Sequence, residues 1–205
     1  MARNMHSVVK QSRREGYALH PKAHKALVKR TALPGAQAGS RRPAKPSQYS
    51  LQLREKQKVK RLYGLLEKQF ANLMSEANKN AGQSGENLLC FLEQRADNVV
   101  YRAAFATSRR AARQLVTHGH FTVNGRRVDV PSMRLAPGDV IEVRDHSKHS
   151  EYFKKLDEVS PAGNDTPSWI KVDRKKLSIT VSSLPSREHA EPEIKEQLIV
   201  EYYSR

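Results

Sequence analysis

The sequence predicts an α+β protein, because two kinds of local pattern follow each other along its 205 residues. Between residues 50 and 77, apolar residues recur at spacings of three and four, which is typical of one face of a helix. Further along, Asn124-Gly125 lies between short alternating segments, and this dipeptide favours the tight turn of a β-hairpin. We therefore expect a helical part, followed by a part that combines helices with short strands.

The charge of the chain indicates a polyanionic partner. It has 37 Lys and Arg against 21 Asp and Glu, a net charge of +16, and residues 1–75 hold 17 of these cations but only three acids. Such an excess favours nucleic acid first and an acidic membrane second. No apolar run is long enough to cross a membrane, and the start of the chain lacks the apolar core of a signal peptide, so a cytoplasmic protein is expected.

The first 50 residues are predicted to be a mostly irregular basic arm. They are rich in Arg, Lys, Gly, Pro, Ala and Ser, and Pro34, Pro43 and Pro46 interrupt any helix. A short helix from Pro21 to Arg30 is compatible with the pattern, since proline is tolerated at a first helical position. An arm of this kind buries too little apolar surface to order itself and should fold against a partner.

The apolar periodicity after the arm predicts one long helix from about Ser50 to Ala77. Its opposite face is expected to point to solvent and to carry Arg54, Lys56, Lys58, Lys60, Arg61 and Lys68. The segment GQSG at 82–85 then predicts a loop, and a further helix should begin near Glu86.

The middle of the chain predicts a helix–turn–helix followed by a hairpin. Helices are expected from about Asn98 and over 108–118, with Gly119 as the cap of the second, because glycine adopts the left-handed conformation without strain. Later strands are predicted at 140–144, 169–172 and 177–181, and a terminal helix near Pro192. The second helix has one apolar face, and its other face carries Arg109, Arg110 and Arg113. With Arg126 and Arg127 of the hairpin, these arginines could form one phosphate-binding surface.

No residue pattern indicates catalysis or a metal. The one cysteine, Cys90, lies in an apolar helical segment and is predicted to be a buried structural thiol. His20 and His24 have the four-residue spacing of a ligand pair, but Pro21 should place them on different elements. Neither a nucleophile with its base nor a phosphate-binding loop is recognisable. The sequence therefore predicts a protein that is not an enzyme and has no cofactor and no metal site.

Five segments in order resemble the bacterial-type small-subunit ribosomal protein S-four family. They are SRREG at 12–16, KPSQYSLQLREKQKVKRLYGLLEKQF at 45–70, GENLLCFLEQRADNVVYRAAFATSRRAARQLVTHGHFTVNGRRV at 85–128, PSMRLAPGDVIEVRD at 131–145 and EQLIVEYYSR at 196–205. Many members of that family bind zinc through cysteines in the amino-terminal arm, whereas this arm has none. The chain therefore resembles the cysteine-free variety of the family.

The resemblance implies an all-helical domain into which an RNA-binding domain, with helices packed on an antiparallel sheet, is inserted. The implied divisions are a basic arm at 1–45, a helical domain at 46–92 completed by about 190–205, an RNA-binding module at 93–155, and strands at 156–189 that extend it. The implied function is that of a structural constituent of the small ribosomal subunit. Such proteins bind the five-prime domain of 16S-type rRNA, nucleate assembly of the subunit body and contribute to translational accuracy.

The implied partners are this rRNA and neighbouring small-subunit proteins of the S-five and S-twelve types, with the protein's own mRNA as a further candidate and neither membrane nor DNA. From the resemblance and the basic segments, the predicted RNA-binding residues are Arg13, Arg14, Arg41, Arg42, Lys45, Arg54, Lys56, Lys58, Lys60, Arg61, Ser108, Arg109, Arg110, Arg113, Gln114, His118, Gly119, His120, Asn124, Gly125, Arg126 and Arg127.

Two alternatives to this function use the same RNA-binding module. The same RNA-binding module occurs in pseudouridine synthases, which have a catalytic Arg-Leu-Asp. The nearest string here, Arg95-Ala96-Asp97, lies inside the module and leaves no room for a catalytic domain. The second alternative is a free RNA chaperone or translational regulator that uses the same surface away from the ribosome. Sedimentation with or without the small subunit would separate this alternative from the ribosomal one.

Overall fold

The computed structural model describes residues 6–30, 32–35, 45–161 and 166–204, so the predictions made for Arg41 and Arg42 lie outside the described residues. The chain divides into two compact units, one made of Met1–Leu88 with Pro192–Arg205 and the other of Leu89–Glu191. No helix of the described residues is long and apolar enough to cross a membrane.

In chain order the described helices are α1 (Val8–Glu15), a 3-10 turn (Pro21–Ala23), α2 (His24–Lys29), α3 (Gln48–Leu62), α4 (Glu67–Ala77), α5 (Ser84–Glu93), α6 (Ala96–Arg102), α7 (Arg109–Thr117), α8 (Asp145–Lys148), α9 (Glu151–Lys154), α10 (Leu156–Val159), a second 3-10 turn (Arg187–His189) and α11 (Glu196–Tyr203). The strands are β1 (Phe121–Val123), β2 (Arg126–Val128), β3 (Val140–Val143), β4 (Ile170–Asp173) and β5 (Ser178–Val181).

The single long helix predicted from residue 50 to residue 77 is wrong, because the chain breaks it into α3 and α4. Gly64 has a φ of +68°, a left-handed conformation that ends α3, and the backbone N–H of Leu65 donates to the Lys60 carbonyl at 2.9 Å. The apolar residues on both sides of the break are nevertheless buried together. Val59, Phe70 and Met74 are fully buried, as is Ile199 of α11, which packs against α3.

The second unit is built on an antiparallel sheet of five strands among its described residues, in the order β2-β1-β3-β5-β4. The hairpin register pairs Phe121 with Val128 and Val123 with Arg126. Asn124 and Gly125 have φ values of +49° and +78°, as the predicted tight turn requires. Because side chains alternate along a strand, Phe121 and Val123 both point into the core, where they pack with the apolar sides of α6 and α7. The predicted α+β fold class is confirmed.

Candidate nucleic-acid interface

Helix α7, with its capping residues Ser108 and His118, carries six of the twelve predicted RNA-binding residues of the second unit. Ser108 caps its first turn, since the Ser108 Oγ accepts a hydrogen bond from the Ala111 backbone N–H at 3.3 Å. Ala112 and Val116 are buried in the core, and this fixes which residues face outward. Arg110, Gln114 and His118, spaced by four residues, are all exposed along one stripe of the helix.

Arg109 and Arg113 do not share that stripe, because both are held inside the unit by acidic partners. Arg109 Nη2 donates to Glu191 Oε1 at 2.9 Å, its Nε donates to Asn98 Oδ1 at 2.9 Å, and its guanidinium lies over the Tyr101 ring. Arg113 Nη1 donates to Asp97 Oδ2 at 2.9 Å. The side chains of Arg109 and Arg113 are only 13% and 15% exposed, respectively. Grouping all three arginines on one solvent-facing surface is therefore wrong.

The hairpin places two more arginines at one end of the sheet order. Arg126 and Arg127 are exposed on β2, directly after the turn. The Asn124 side chain is engaged in supporting the turn, because its Nδ2 donates to Asp139 Oδ1 at 2.8 Å and its Oδ1 accepts from the Val140 backbone N–H at 2.9 Å. Asn124 thus ties the hairpin to the start of β3, which keeps the two arginines in a fixed position.

Gly119 joins the end of α7 to β1 and lies against Arg127. A Cβ at Gly119 would come within 2.7 Å of the Arg127 Nε, so any other residue there would displace the guanidinium from its present position. Arg144 also contacts this glycine, since its Nη1 donates to the Gly119 carbonyl at 3.2 Å. Arg144 is absent from the residues predicted from the sequence, since it follows a strand by one position and no local basic pattern marks it.

In the first unit, the predicted basic stretch of α3 is largely paired with carboxylates of the protein. Arg54 Nη1 lies 3.2 Å from Glu15 Oε1, and Arg61 bonds the same oxygen. Lys56 and Lys60 both bond Glu67, and Lys58 Nζ lies 2.8 Å from Glu55 Oε1. Lys56 is buried beneath the Tyr202 ring, 4.3 Å from its Nζ, so the predicted solvent exposure of Lys56 is wrong.

Two of the three acids that hold these cations, Glu15 and Glu67, have pKa values shifted in opposite directions. Burial raises the pKa of Glu15 above its ordinary value, and the charges of Arg54 and Arg61 only partly offset this effect. For Glu67, burial also acts to raise the pKa, but the hydrogen bonds from Lys56 and Lys60 outweigh it and lower the pKa to about 2. Glu67 therefore stays ionised at all physiological pH values.

An exposed basic group that the predicted residues do not include surrounds α2. Lys22, Lys25, Lys29 and Arg30 are exposed there, together with Val28. The signal that could have found them is the absence of any Asp or Glu from residue 16 to residue 54. Of the predicted residues in the same part of the chain, Arg14 and Lys45 are exposed, whereas Arg13 Nη2 donates to the Ala32 carbonyl at 2.7 Å.

The histidines and the cysteine have ordinary structural surroundings. His20 is the residue before the first 3-10 turn, where its Nδ1 accepts a hydrogen bond from the Lys22 backbone N–H at 3.1 Å. Cys90 is partly exposed rather than fully buried as predicted, and its Sγ lies 3.0 Å from the Pro185 carbonyl. Within the part of the chain that the structure describes, no three His, Cys, Asp or Glu side chains are grouped as metal ligands would be.

Comparison with known proteins identifies the class of protein to which the chain belongs. Residues 3–93 match the model of the ribosomal protein S4/S9 N-terminal domain, and residues 94–141 match that of the S4 domain. The chain is 48% identical over 210 residues to the small ribosomal subunit protein uS4 of Syntrophomonas wolfei, and 51% identical over 211 residues to uS4A of Alkaliphilus oremlandii. It is also 48% identical to uS4 of Clostridioides difficile, and each of these alignments covers the whole of both chains.

These findings define a ribosomal protein with an S4-type RNA-binding domain. More particularly, the chain belongs to the small ribosomal subunit protein uS4 family. Members of this family are structural proteins, so the prediction that the chain is not an enzyme is confirmed. The description of the chain as cysteine-free is wrong, because Cys90 is present. It holds only for the amino-terminal arm.

Proposed function

We propose that the protein is a structural constituent of the small ribosomal subunit in the cytoplasm and binds the five-prime domain of 16S-type rRNA directly. The observation that carries this proposal is the outward-facing basic surface formed by α7 and β2, together with membership of the uS4 family. By binding early, the protein nucleates assembly of the subunit body. Contacts with neighbouring proteins of the S-five and S-twelve types give it a role in translational accuracy, and its own mRNA is a second RNA ligand.

The residues proposed to contact RNA in the second unit fall into two groups by their surroundings. The first group is exposed and reaches phosphate oxygens or unpaired bases. It consists of Arg110, Gln114 and His118 on one helix stripe and Arg126 and Arg127 on one hairpin strand. Ser108, Gly119, Asn124 and Gly125 set the backbone positions from which they do so. This surface is suited to following the shape and backbone of a folded RNA, as is typical of proteins that bind structured rRNA.

Two charge-matched double variants test this surface. Arg126→Gln with Arg127→Gln removes two charges from β2, and Lys171→Gln with Lys175→Gln removes two from β4 and the turn after it, at the opposite end of the sheet order. In filter-binding measurements with a transcript of the five-prime domain, the β2 variant should bind about tenfold more weakly. The β4 variant should bind like the parent, and equal losses in both variants would contradict the assignment of the surface.

Sedimentation of a cell lysate tests the place of the protein in the ribosome. On a sucrose gradient the protein should sediment quantitatively with small-subunit fractions. A protein found only in the slowly sedimenting fractions would instead support the free RNA chaperone or regulator. A matched gradient of the β2 double variant should show reduced incorporation at equal expression.

A further inference from the structure

Four basic side chains lie close together at the loop His118-Gly119-His120, which joins α7 to β1: two belong to the loop and two come from other elements. The His118 and His120 ring centroids are 6.0 Å apart. Arg144 donates to the Gly119 carbonyl at 3.2 Å, and the guanidinium of Arg127 occupies the space beside the Gly119 Cα. These groups come from three separate elements, since Arg127 lies on β2 and Arg144 follows β3. They are brought together by the fold and not by their order in the sequence.

Among the described residues, the groups of α8 and α9 in contact with His120 are uncharged. From α8, the Ser147 Oγ lies 3.0 Å from the His120 Nδ1, and from α9 the Phe153 ring meets the imidazole edge-on at 5.8 Å. Asp145 follows Arg144 in the chain, but its Oδ1 is bonded by Lys148 Nζ at 2.8 Å. Burial, followed by the charges of His118 and Arg144, lowers the pKa of His120 below its ordinary value.

A bound anion would instead raise the pKa of His120 and favour its protonated form. An RNA phosphodiester carries one negative charge and accepts hydrogen bonds from guanidinium groups, often in pairs. Once seated beside Arg127 and Arg144, it would offset their charges and stabilise the protonated form of a neighbouring imidazole. Binding of the phosphate and protonation of a histidine would therefore favour each other.

We propose that His118, His120, Arg127 and Arg144 form a binding site for one RNA phosphate group, and that the His120 imidazole takes up a proton when this phosphate binds. The inference rests on the proposed function and extends it in two respects. It assigns Arg144 to the RNA-binding surface, and it makes the affinity for RNA depend on pH near neutrality.

The direction of the dependence follows from the pKa of His120 in the free protein and in the complex. In the free protein the imidazole of His120 gives up its proton easily, and in the complex it holds the proton more tightly. RNA affinity therefore rises as the pH falls. Each pKa unit gained by one histidine on binding strengthens binding by up to about tenfold, once the pH is below both pKa values.

The test is the affinity of the full chain for a five-prime domain transcript at constant ionic strength, measured between about pH 8 and about pH 6. The parent protein should bind about tenfold more tightly at the lower pH. His118→Gln with His120→Gln should remove most of that gain. His149→Gln, which changes an exposed histidine elsewhere in the same unit, should retain the full gain.

Because all the variants bind the same transcript, titration of the RNA bases cancels in the comparison. Calorimetry in two buffers of different ionisation enthalpy should show net proton uptake by the parent and less by the double histidine variant. An equal gain on acidification in the parent and the double histidine variant would overturn the proton-linked site while leaving the proposed function intact. Failure of the parent to bind the transcript at any pH would overturn both.

Discussion

Gly119 connects α7 to the sheet through a backbone conformation that side chains rarely adopt. Its φ is +71°, and an added Cβ would also meet the Arg127 guanidinium at 2.7 Å. We expect Gly119→Ala to destabilise the protein by about 1–3 kcal/mol and to weaken RNA binding, because both the loop and Arg127 must move. Urea titration and filter binding measure the two effects.

Gly138→Ala is the matched control for that substitution. Gly138 has a φ of +92°, but nothing lies within 4 Å of the position of a Cβ there. It should show the loss of stability that comes from backbone strain, without the loss of RNA affinity. If both variants bound RNA equally well, the contact between Gly119 and Arg127 would have no part in recognition.

Arg109 and Arg126 should respond differently to replacement by alanine. Arg109→Ala removes hydrogen bonds to Asn98 and Glu191 in a partly buried site and should lower the free energy of unfolding by about 1–3 kcal/mol. Arg126→Ala removes an exposed side chain and should change that free energy by less than about 0.5 kcal/mol while weakening RNA binding. Urea unfolding at equal salt separates the two, and equal stabilities would contradict the structural role of Arg109.

The roles of individual arginines could not be predicted from the sequence. Helical spacing showed that Arg109, Arg110 and Arg113 lie off the apolar stripe, and that is correct for Arg110, which is exposed. The acids that hold Arg109 and Arg113 are Glu191 and Asp97, and the first of these is 82 residues away in the chain. Helical periodicity identifies only which residues share a face of the same helix. It therefore could not distinguish an arginine paired with a distant acid from one that faces solvent.

At the scale of elements, Glu67 links α4 to α3 and α11. It accepts hydrogen bonds from Lys56 and Lys60 of α3 and, at 3.2 Å, from the Tyr203 hydroxyl of α11. The pKa of Glu67 is lowered to about 2, so its contribution to stability is present above its ordinary pKa of 4.5 and is lost as the pH falls towards 2. The link between the three helices therefore weakens in acid.

Glu67→Gln should lower the free energy of unfolding by roughly 1 kcal/mol at pH 7, because two lysines lose their anionic partner. At about pH 2, where about half of the parent carboxyl is itself protonated, the difference should shrink. Urea unfolding at the two pH values measures both numbers. A difference that did not change with pH would show that the ionised carboxylate does not carry the effect.

The sequence was informative about elements with a strong local signal. Three features follow from residues adjacent to them. They are the left-handed Gly119 that ends α7, the tight hairpin turn, and the strands β3 and β5. The break between α3 and α4 was missed because Leu62, Leu66 and Phe70 keep a spacing of four residues straight through it. An apolar period reports which residues are buried together, and it does not report whether the backbone between them is continuously helical.

For the whole molecule, the net charge of +16 overstates the number of cations that can meet RNA. Much of the charge of α3 is paired with Glu15, Glu55 and Glu67, so the accessible excess lies elsewhere. The group around α2 lies within a stretch, residues 16–54, that has no acid. Salt dependence of binding counts the phosphates that are neutralised and can therefore locate the contacts.

Lys25→Gln with Lys29→Gln should reduce the steepness of log affinity against log salt by about 1.5, since each lost phosphate contact contributes roughly 0.7 to 0.9. Lys68→Gln with Lys79→Gln is the matched pair in the same unit. Both of these lysines are exposed, but acids lie nearby in the sequence at Glu67 and Glu76. This second pair should leave the slope nearly unchanged, and a reversed result would move the RNA contact from α2 to α4.

The position of β2 at one end of the sheet order has a consequence for the protein before it meets RNA. A strand at the edge of a sheet exposes backbone donors and acceptors that a second copy could pair with. Arg126 and Arg127 cover this edge with like charges, so two free molecules repel each other where they would otherwise stack edge to edge. The arginines proposed to grip phosphate thus also oppose edge-to-edge pairing of two free copies, and this repulsion falls when bound phosphates neutralise their charge.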